Sequence, residues 1–136
     1  MKRLRYLLDT DICIFTAKQQ SQSVLGRFKT LRPGELGMSV VTYGELRYGA
    51  EKSRRRADAV DVLQELTGLI PVCPLAADTG EQYGSIRSLL ERSGIPIGNN
   101  DLWIAAHALS LGAVLVTNNE REFSRVAGLA VENWAR

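Results

Sequence analysis

Cysteine and histidine are scarce in this sequence, and their scarcity excludes several kinds of protein. The 136 residues include two cysteines and one histidine. Cys13 and Cys73 lie far apart and form no CxxC pair, so a disulfide-stapled fold is not indicated. The usual Cys/His zinc sites need several such ligands close together and are excluded. Any metal ion would have to be held mainly by oxygen ligands, which points to Mg²⁺ or Mn²⁺.

Long apolar runs are also missing. None approaches the roughly 20 residues that a membrane-spanning helix needs. The basic residues 2–5 are followed by a short apolar stretch that Asp9 interrupts, whereas a secretory signal peptide needs a longer apolar core. We therefore expect a cytoplasmic protein without a membrane segment. The composition, 45% hydrophobic and 24% charged, is typical of one globular domain spanning residues 1–136.

Positive charge is concentrated in the first half of the chain. All four lysines lie there, and the densest basic run is Lys-Ser-Arg-Arg-Arg at residues 52–56. Such a run would favour a polyanionic partner. A solvated connection between two helices is the commoner explanation from sequence alone.

Short apolar runs alternate with longer segments of helical period, which is the pattern of an α/β fold. Strands are predicted at 5–8, 36–40, 70–73, 113–117 and 129–132. Helices are predicted at 12–18, 23–31, 42–51, 57–66, 77–92, 101–111 and 120–125. Asn100 is predicted to cap the helix at 101–111. Gly68, Gly94 and Gly112 are predicted to stop the helices that precede them. The strand at 113–117 is the clearest, because it is apolar and β-branched like a buried parallel strand.

Polar side chains gather where the predicted strands end. Asp9 follows the first strand, and Glu45 lies in the first turn of the helix after the second strand. Asn118 and Asn119 follow the fourth strand, and Asp101 begins the helix that leads into it. Functional groups in an open parallel sheet collect beyond the carboxyl ends of its strands. Carboxylates held together there need a cation or a shared proton, so the sequence favours a site for a hard divalent ion.

Each candidate also has a purely structural explanation. Asp101 would complement the partial positive charge at a helix start. Thr42 and Glu45 would form a capping box. Asn119 would cap a short helix and pair with Glu122. From local sequence alone, both explanations of each residue stay open.

Asp9 is the strongest candidate, because a bare acid after an apolar strand lacks an obvious local partner. The neighbouring Asp11 is interpreted as the cap of the helix that follows it. His107 lies in an apolar helix and is expected to be packed or hydrogen-bonded. Trp103 and Trp134 are expected to be core or interface aromatics rather than platforms for a substrate.

Four segments in a fixed order carry a family resemblance. They are LLDTDI at 7–12, SVVTYGEL at 39–46 with Tyr48-Gly49, IGNNDLWIAAHA at 97–108, and VTNN at 116–119 with Phe123. Together, in a domain of this size, they resemble the PIN-domain ribonucleases, and most closely the VapC-type toxins of bacterial toxin–antitoxin pairs. The resemblance implies a three-layer αβα sandwich around a mostly parallel five-stranded sheet with the strand order three-two-one-four-five.

The same resemblance implies an endoribonuclease that depends on Mg²⁺ or Mn²⁺. The family's first three acids fall on Asp9, Glu45 and Asp101, and its fourth acidic position falls on Asn119. Asp9 and Asp101 are expected to bind the ion, with Glu45 completing the site directly or through a water. Asn119 removes one negative charge and should weaken a second ion. Thr117 falls where the family has a hydroxyl residue near the site.

The partners are also implied by the resemblance. They are an RNA substrate, with tRNA among the candidates, a second copy of the chain in a homodimer, and a VapB-type antitoxin whose tail covers the acidic pocket. Operator DNA would be bound only through the antitoxin. Because an acid-lined site repels RNA, arginines at its rim are expected to hold the phosphates. The candidates are Arg54–Arg56, Arg121 and Arg125.

Three other functions compete with this one. The Asp-Thr-Asp at 9–11 also matches haloacid-dehalogenase-type phosphatases, but these use a later lysine and none follows Lys52. A response-regulator receiver would need an acceptor aspartate where Cys73-Pro74 stands. A non-catalytic PIN-like module that binds RNA or a protein partner is the stronger alternative, and the effect of metal chelation on RNA cleavage distinguishes it.

Overall fold

The fold is known from a computed structural model that describes residues 4–18 and 22–135. These residues form five strands and seven helices. In chain order they are β1 (Tyr6–Leu8), α1 (Thr10–Ala17), α2 (Gln22–Phe28), β2 (Leu36–Ser39), α3 (Val40–Glu51), α4 (Arg56–Leu69), β3 (Val72–Cys73), α5 (Ala77–Arg92), α6 (Asn99–Leu111), β4 (Val114–Val116), α7 (Glu120–Phe123) and β5 (Val131–Glu132).

The five strands form one parallel sheet in the order β3-β2-β1-β4-β5. This order confirms the prediction, and the sheet is parallel throughout rather than mostly parallel. Helices connect successive strands, since a parallel pair needs a crossover rather than a tight turn. The chain builds the sheet outward from β1 in one direction and then returns to the other side of β1 with β4. The carboxyl ends of β1 and β4 therefore form the topological switch point, where ligands bind in such sheets.

Helices cover both faces of the sheet, which confirms the three-layer αβα architecture. Along β1, Leu7 packs into one core while Tyr6 and Leu8 pack into the other, as side chains of a strand alternate between faces. The first core also holds Trp134 and the buried faces of α1, α2 and α4. The second core is filled by α5, α6 and the Phe123 side chain of α7.

Three helices, α1, α3 and α6, begin two residues before their predicted starts. Helix α3 starts at Val40, because the Ser39 hydroxyl at the end of β2 accepts a hydrogen bond from the Val41 N–H and caps the helix there. The predicted Thr42–Glu45 capping box is therefore wrong. In α1 the cap is Asp9 and not Asp11, since the Asp9 carboxylate accepts from the next N–H.

Helix α6 starts at Asn99 with Gly98 in the cap position, so Asn100 does not cap it. The predicted stop at Gly68 is also wrong, because α4 continues to Leu69 and the next residue, Ile70, is buried. The stops at Gly94 and Gly112 are confirmed. Gly112 has a φ of 65°, in the left-handed region that ends helices and favours glycine.

Gly37 is where β2 and β3 approach each other closely. A Cβ atom there would lie 2.8 Å from Cys73 Sγ and 2.9 Å from the Pro71 carbonyl oxygen. Only glycine fits this position without a shift of the neighbouring backbone. No helix built by the described residues has the length and apolarity that crossing a membrane requires.

Candidate active site

Asp9 stands at the switch point, directly after β1, and both of its carboxylate oxygens have partners. Its N–H donates to the Val116 carbonyl of β4 at 2.8 Å. One carboxylate oxygen accepts from the Thr10 N–H at 2.7 Å, and the other accepts from the Thr117 hydroxyl at 2.8 Å. The side chain is only 5% exposed. Asp9 is thus held in one orientation at the end of the sheet.

Burial raises the pKa of Asp9 to about 6, although the hydrogen bonds from Thr117 and Thr10 oppose this shift. The negative charges of Asp11 and Glu45 raise it further. Near neutral pH the carboxylate is ionised at a position that disfavours negative charge. A positive charge placed beside it would relieve this cost.

Thr10 connects Asp9 to Glu45. Its N–H holds one oxygen of Asp9, while its hydroxyl donates to Glu45 Oε1 at 2.8 Å. Glu45 lies in the second turn of α3, so Thr10 connects the end of β1 to that helix. Thr10 could not be singled out from sequence, because its contact with Glu45 joins residues 35 positions apart.

Asp101, in the first turn of α6, completes the predicted set of acids. Burial raises its pKa to about 7, and a hydrogen bond with Glu122 raises it as well. The charges of Glu122, Asp9 and Glu45 add to the shift. The three acids therefore lie close enough to interact electrostatically, although they are widely separated in the chain. Their catalytic and metal-binding roles stay predictions.

Glu122 is a fourth carboxylate that the sequence analysis considered only as a partner of Asn119. One of its oxygens accepts from the Gly98 N–H at 3.1 Å, and the other accepts from the Asn119 side-chain amide at 2.6 Å. Although partial burial opposes it, the hydrogen bonds from Asp101, Gly98 and Asn119 lower the pKa of Glu122. Of the two carboxyl groups, Asp101 is therefore the one that takes up a proton first as the pH falls.

Glu122 could have been found from sequence by the argument applied to Asn119, since it lies in α7, the short helix that follows β4. Asn119 itself occupies the cap position of α7, and its N–H donates to the Thr117 hydroxyl at 2.9 Å. Its pairing with Glu122 is the predicted structural contact, and its predicted role as a metal ligand stays a prediction. Asn118 instead accepts a hydrogen bond from Asn133, beyond the end of β5.

The oxygen ligands at this edge of the sheet suit a hard divalent cation. Its four carboxylates are Asp9, Glu45, Asp101 and Glu122, and oxygen is the ligand that Mg²⁺ and Mn²⁺ prefer. The raised pKa values of Asp9 and Asp101 indicate that negative charge is under-compensated there. Within residues 4–18 and 22–135, no three His, Cys, Asp or Glu side chains are drawn together tightly enough to surround an ion. The four carboxylates therefore lie near one another, but their oxygen atoms do not surround a single point.

The arginines predicted to hold phosphates differ in their contacts. Arg56 donates twice to Glu51, at 2.6 and 3.1 Å, and Arg125 donates to the Pro96 carbonyl at 3.1 Å. Arg54, Arg55 and Arg121 make no side-chain hydrogen bond or ion pair with the part of the chain that the structure describes. Which of them contact RNA stays a prediction.

The remaining sequence candidates have structural roles. His107 is 1% exposed, and its Nδ1 lies 2.8 Å from the Ser39 hydroxyl, so it is packed and hydrogen-bonded as predicted. Burial lowers its pKa. Trp134 is a core residue whose ring meets Tyr6 edge to face. Trp103 is half-buried and stacks on Tyr83 with the ring centroids 3.9 Å apart.

An apolar groove of about 630 Å³ runs beside Thr10 and Glu45, between α1, α3 and α4. Aliphatic side chains such as Ile14, Leu46 and Val62 line most of it. The acidic edge and this groove are therefore neighbouring parts of one surface.

Comparisons with known proteins agree with this geometry. The model of the PIN domain family matches residues 6–129. The tRNA(fMet)-specific endonuclease VapC of Shigella flexneri is 45% identical over 132 residues, which cover 97% of this chain and 99% of that protein. Ribonuclease VapC2 of Haemophilus influenzae is 39% identical over 96% of this chain and 98% of its own length.

Solved structures agree with the fold along nearly the whole chain. VapBC-1 from nontypeable Haemophilus influenzae has a TM-score of 0.91 and 39% identity, covering 98% of this chain and 100% of that one. VapBC2 from Rickettsia felis, bound to a promoter DNA fragment, has a TM-score of 0.90 and 34% identity, covering 96% and 99%. The chain therefore belongs to the PIN-domain family and, within it, to the VapC ribonucleases.

Proposed function

We propose that the protein is a metal-dependent endoribonuclease toxin that hydrolyses RNA phosphodiester bonds. The observation that carries the proposal is the meeting of Asp9, Glu45, Asp101 and Glu122 at the switch point of the sheet. The 45% identity to an RNA-cleaving VapC over nearly the full chain supports it. Cellular RNAs such as tRNA lie in the cytoplasm, and we propose that compartment for the protein.

Asp9 and Asp101 would hold the divalent cation, Mg²⁺ or Mn²⁺, with Glu45 and Glu122 beside it and Asn119 as a further candidate ligand. When bound, the ion polarises a phosphoryl oxygen and makes a water more acidic. Thr117 and Thr10 fix the carboxylate of Asp9, so that little reorganisation is needed as charge develops.

Glu122 is suited to accept the proton of the attacking water. Asp101 would be ionised as a ligand of the cation, whereas Glu122 lies beside it as a carboxylate whose pKa is lowered by the hydrogen bonds from Asp101, Gly98 and Asn119. An ionised carboxylate next to the site of the water can act as a general base.

We propose tRNA as the first class of RNA to test, because the relative from Shigella flexneri is named as a tRNA(fMet)-specific endonuclease. The purified protein is incubated with total RNA in the presence of Mg²⁺ or Mn²⁺, with and without EDTA, and the new 5′ ends are mapped. We expect cleavage that EDTA stops and that Asp101→Asn lacks.

Cleavage that persists in EDTA would reject the metal dependence. Binding of RNA without cleavage, at the same affinity in the wild type and Asp101→Asn, would instead favour a non-catalytic RNA-binding module. Circular dichroism of the variant checks that it remains folded.

We also propose that a VapB-type antitoxin neutralises this activity, with its tail in the apolar groove and over the acidic edge. The groove opens beside Thr10 and Glu45, so a chain lying in it would reach the carboxylates. Val62 lines the groove and is 46% exposed. Val62→Glu should therefore release the nuclease from a co-expressed antitoxin while leaving RNA cleavage intact, and unchanged inhibition would place the antitoxin elsewhere.

The toxin itself is proposed to form a homodimer and to reach operator DNA only through the antitoxin. Sedimentation of the purified toxin tests the first point. A gel-shift assay with operator DNA, with and without the antitoxin, tests the second.

A further inference from the structure

The face of α3 that carries Glu45 continues as an exposed, basic and aromatic surface. Tyr48 lies three residues after Glu45 and Lys52 seven, so all three share one side of the helix. Tyr48 is 67% exposed, the largest value among the exposed large hydrophobic side chains. The ammonium nitrogen of Lys52 lies 4.7 Å from the centre of the tyrosine ring.

The charge around this surface is strongly positive. Residues 47–56 contain five basic residues and one acidic residue, Glu51. Glu51 pairs with Arg47 at 2.7 Å and with Arg56 at 2.6 Å, so its charge is already shared between two arginines. Lys52 contacts only the ring of Tyr48, and the side chains of Arg54 and Arg55 have no partner among the described residues.

This surface differs from the apolar groove on the neighbouring side of α3. The groove is lined by Leu46, Gly49, Ala50 and Ser53 of the same stretch, and neither Tyr48 nor Lys52 takes part in it. An aromatic ring beside uncompensated cations suits a nucleic acid, because every base offers a face for stacking and every phosphate a negative charge. Charge complementarity therefore selects a single RNA strand as the occupant.

We propose that Tyr48 and Lys52 form a subsite for the RNA strand next to the catalytic edge. A base stacks on the open face of the Tyr48 ring, and Lys52 with Arg54 and Arg55 contacts the adjoining phosphates. The inference rests on the proposed ribonuclease function and adds the route of the substrate. Tyr48 lies about 4.5 Å further along the helix axis than Glu45, so the stacked base belongs to a nucleotide near the scissile bond.

The surface formed by Tyr48 and Lys52 would also explain how RNA can bind next to an acidic site. Four carboxylates repel the phosphates of RNA, so the affinity for the strand has to come from groups beside the reacting bond. Since Tyr48 touches the strand and not the scissile phosphate, its loss should weaken binding and leave the chemical step unchanged.

The test compares Tyr48→Ala, Tyr48→Trp and Lys52→Ala in cleavage of a short single-stranded RNA that contains a site mapped with total RNA. We expect Tyr48→Ala to raise KM by about 10-fold or more with kcat changed by less than about 2-fold, and Tyr48→Trp to restore KM. Lys52→Ala should lower the slope of log KM against log salt by about 1. Lys29→Ala removes an equal charge before the start of β2, at the opposite edge of the sheet. It should change neither KM nor the dependence of KM on salt.

A binding measurement keeps the subsite separate from the proposed activity. In an Asp101→Asn background, an RNA oligonucleotide carrying 2-aminopurine should show a change of fluorescence on binding that Tyr48→Ala removes. If Tyr48→Ala removes this signal and the wild-type protein also fails to cleave RNA, the subsite would be supported and the nuclease rejected. An unchanged KM and an unchanged signal in Tyr48→Ala would overturn the subsite.

The same variants distinguish RNA from a second copy of the chain as the occupant. If Tyr48→Ala reduces the sedimentation coefficient while RNA binding stays at the wild-type level, the surface is an interface between copies and the proposal is wrong. If RNA binding weakens while the sedimentation coefficient stays constant, the surface is the RNA subsite.

Discussion

Replacing Asp9 by asparagine should stabilise the metal-free protein at alkaline pH while removing its activity. The folded protein holds Asp9 in a buried position that raises its pKa from 3.8 to about 6. The folded state therefore binds the Asp9 proton more tightly than the unfolded state does. As pH rises from about 4 to about 6, the wild type loses free energy of unfolding, and above this range the loss is complete.

The size of the effect follows from the structure. A rise of the pKa from 3.8 to about 6 corresponds to about 3 kcal/mol at alkaline pH. Asparagine carries no charge, still accepts from the Thr10 N–H and is a good helix cap. The favourable hydrogen bond from the Thr117 hydroxyl to the ionised carboxylate is already contained in this pKa. We therefore expect Asp9→Asn to gain about 3 kcal/mol near pH 8.

Urea unfolding in EDTA, followed by the fluorescence of the buried Trp134, measures this difference at about pH 4 and about pH 8. The gain should appear near pH 8 and vanish near pH 4. Adding Mg²⁺ near pH 8 should stabilise the wild type and leave the variant unchanged, because a ligand stabilises only the state that binds it. Asp61→Asn, on the exposed side of α4, is the matched control and should show no such pattern.

A variant that is less stable than the wild type at both pH values would refute the reasoning. So would a difference that does not depend on pH, since the effect then could not come from ionisation of Asp9.

Three further predictions follow from individual contacts. Thr10→Val should reduce RNA cleavage by about 10-fold or more, because it removes the hydrogen bond to the Glu45 carboxylate. Thr10→Ser keeps the hydroxyl and should retain most of the cleavage rate. Equal rates for both variants would contradict this role. Glu122→Gln should reduce kcat/KM by roughly 100-fold and shift the acid limb of its pH profile downward, because Asp101 loses the negative partner that raises its pKa. An unchanged pH profile would exclude Glu122 from the site. Gly37→Ala should lower the free energy of unfolding by about 2 kcal/mol, because its Cβ would collide with the Pro71 carbonyl oxygen and Cys73 Sγ. By contrast, Gly84→Ala in the open middle of α5 should raise it by about 0.5–1 kcal/mol. Urea midpoints measure both, and a loss of the same size in the two variants would rule out the steric explanation.

The sequence was most reliable where a local pattern carries a physical requirement. The apolar, β-branched run before Thr117 became the buried strand β4, and the boundaries of α5 agree with the prediction. Gly112 ended α6 because its backbone conformation suits glycine. The predicted helix starts at Thr42 and Asn100 failed because several neighbouring residues can cap a helix, and packing decides which of them does.

The residues that carry the proposed chemistry divide in the same way. By its order of apolar runs and polar ends, the sequence determined that Asp9, Glu45 and Asp101 belong to one edge of a parallel sheet. Only the tertiary structure decided which groups hold them there. Thr10 reaches Glu45 and Glu122 reaches Asp101 across distances in the chain over which no periodicity operates. Such pairings arise when helices pack on the sheet, because packing brings side chains from distant segments within hydrogen-bonding distance and excludes the water that would otherwise compete.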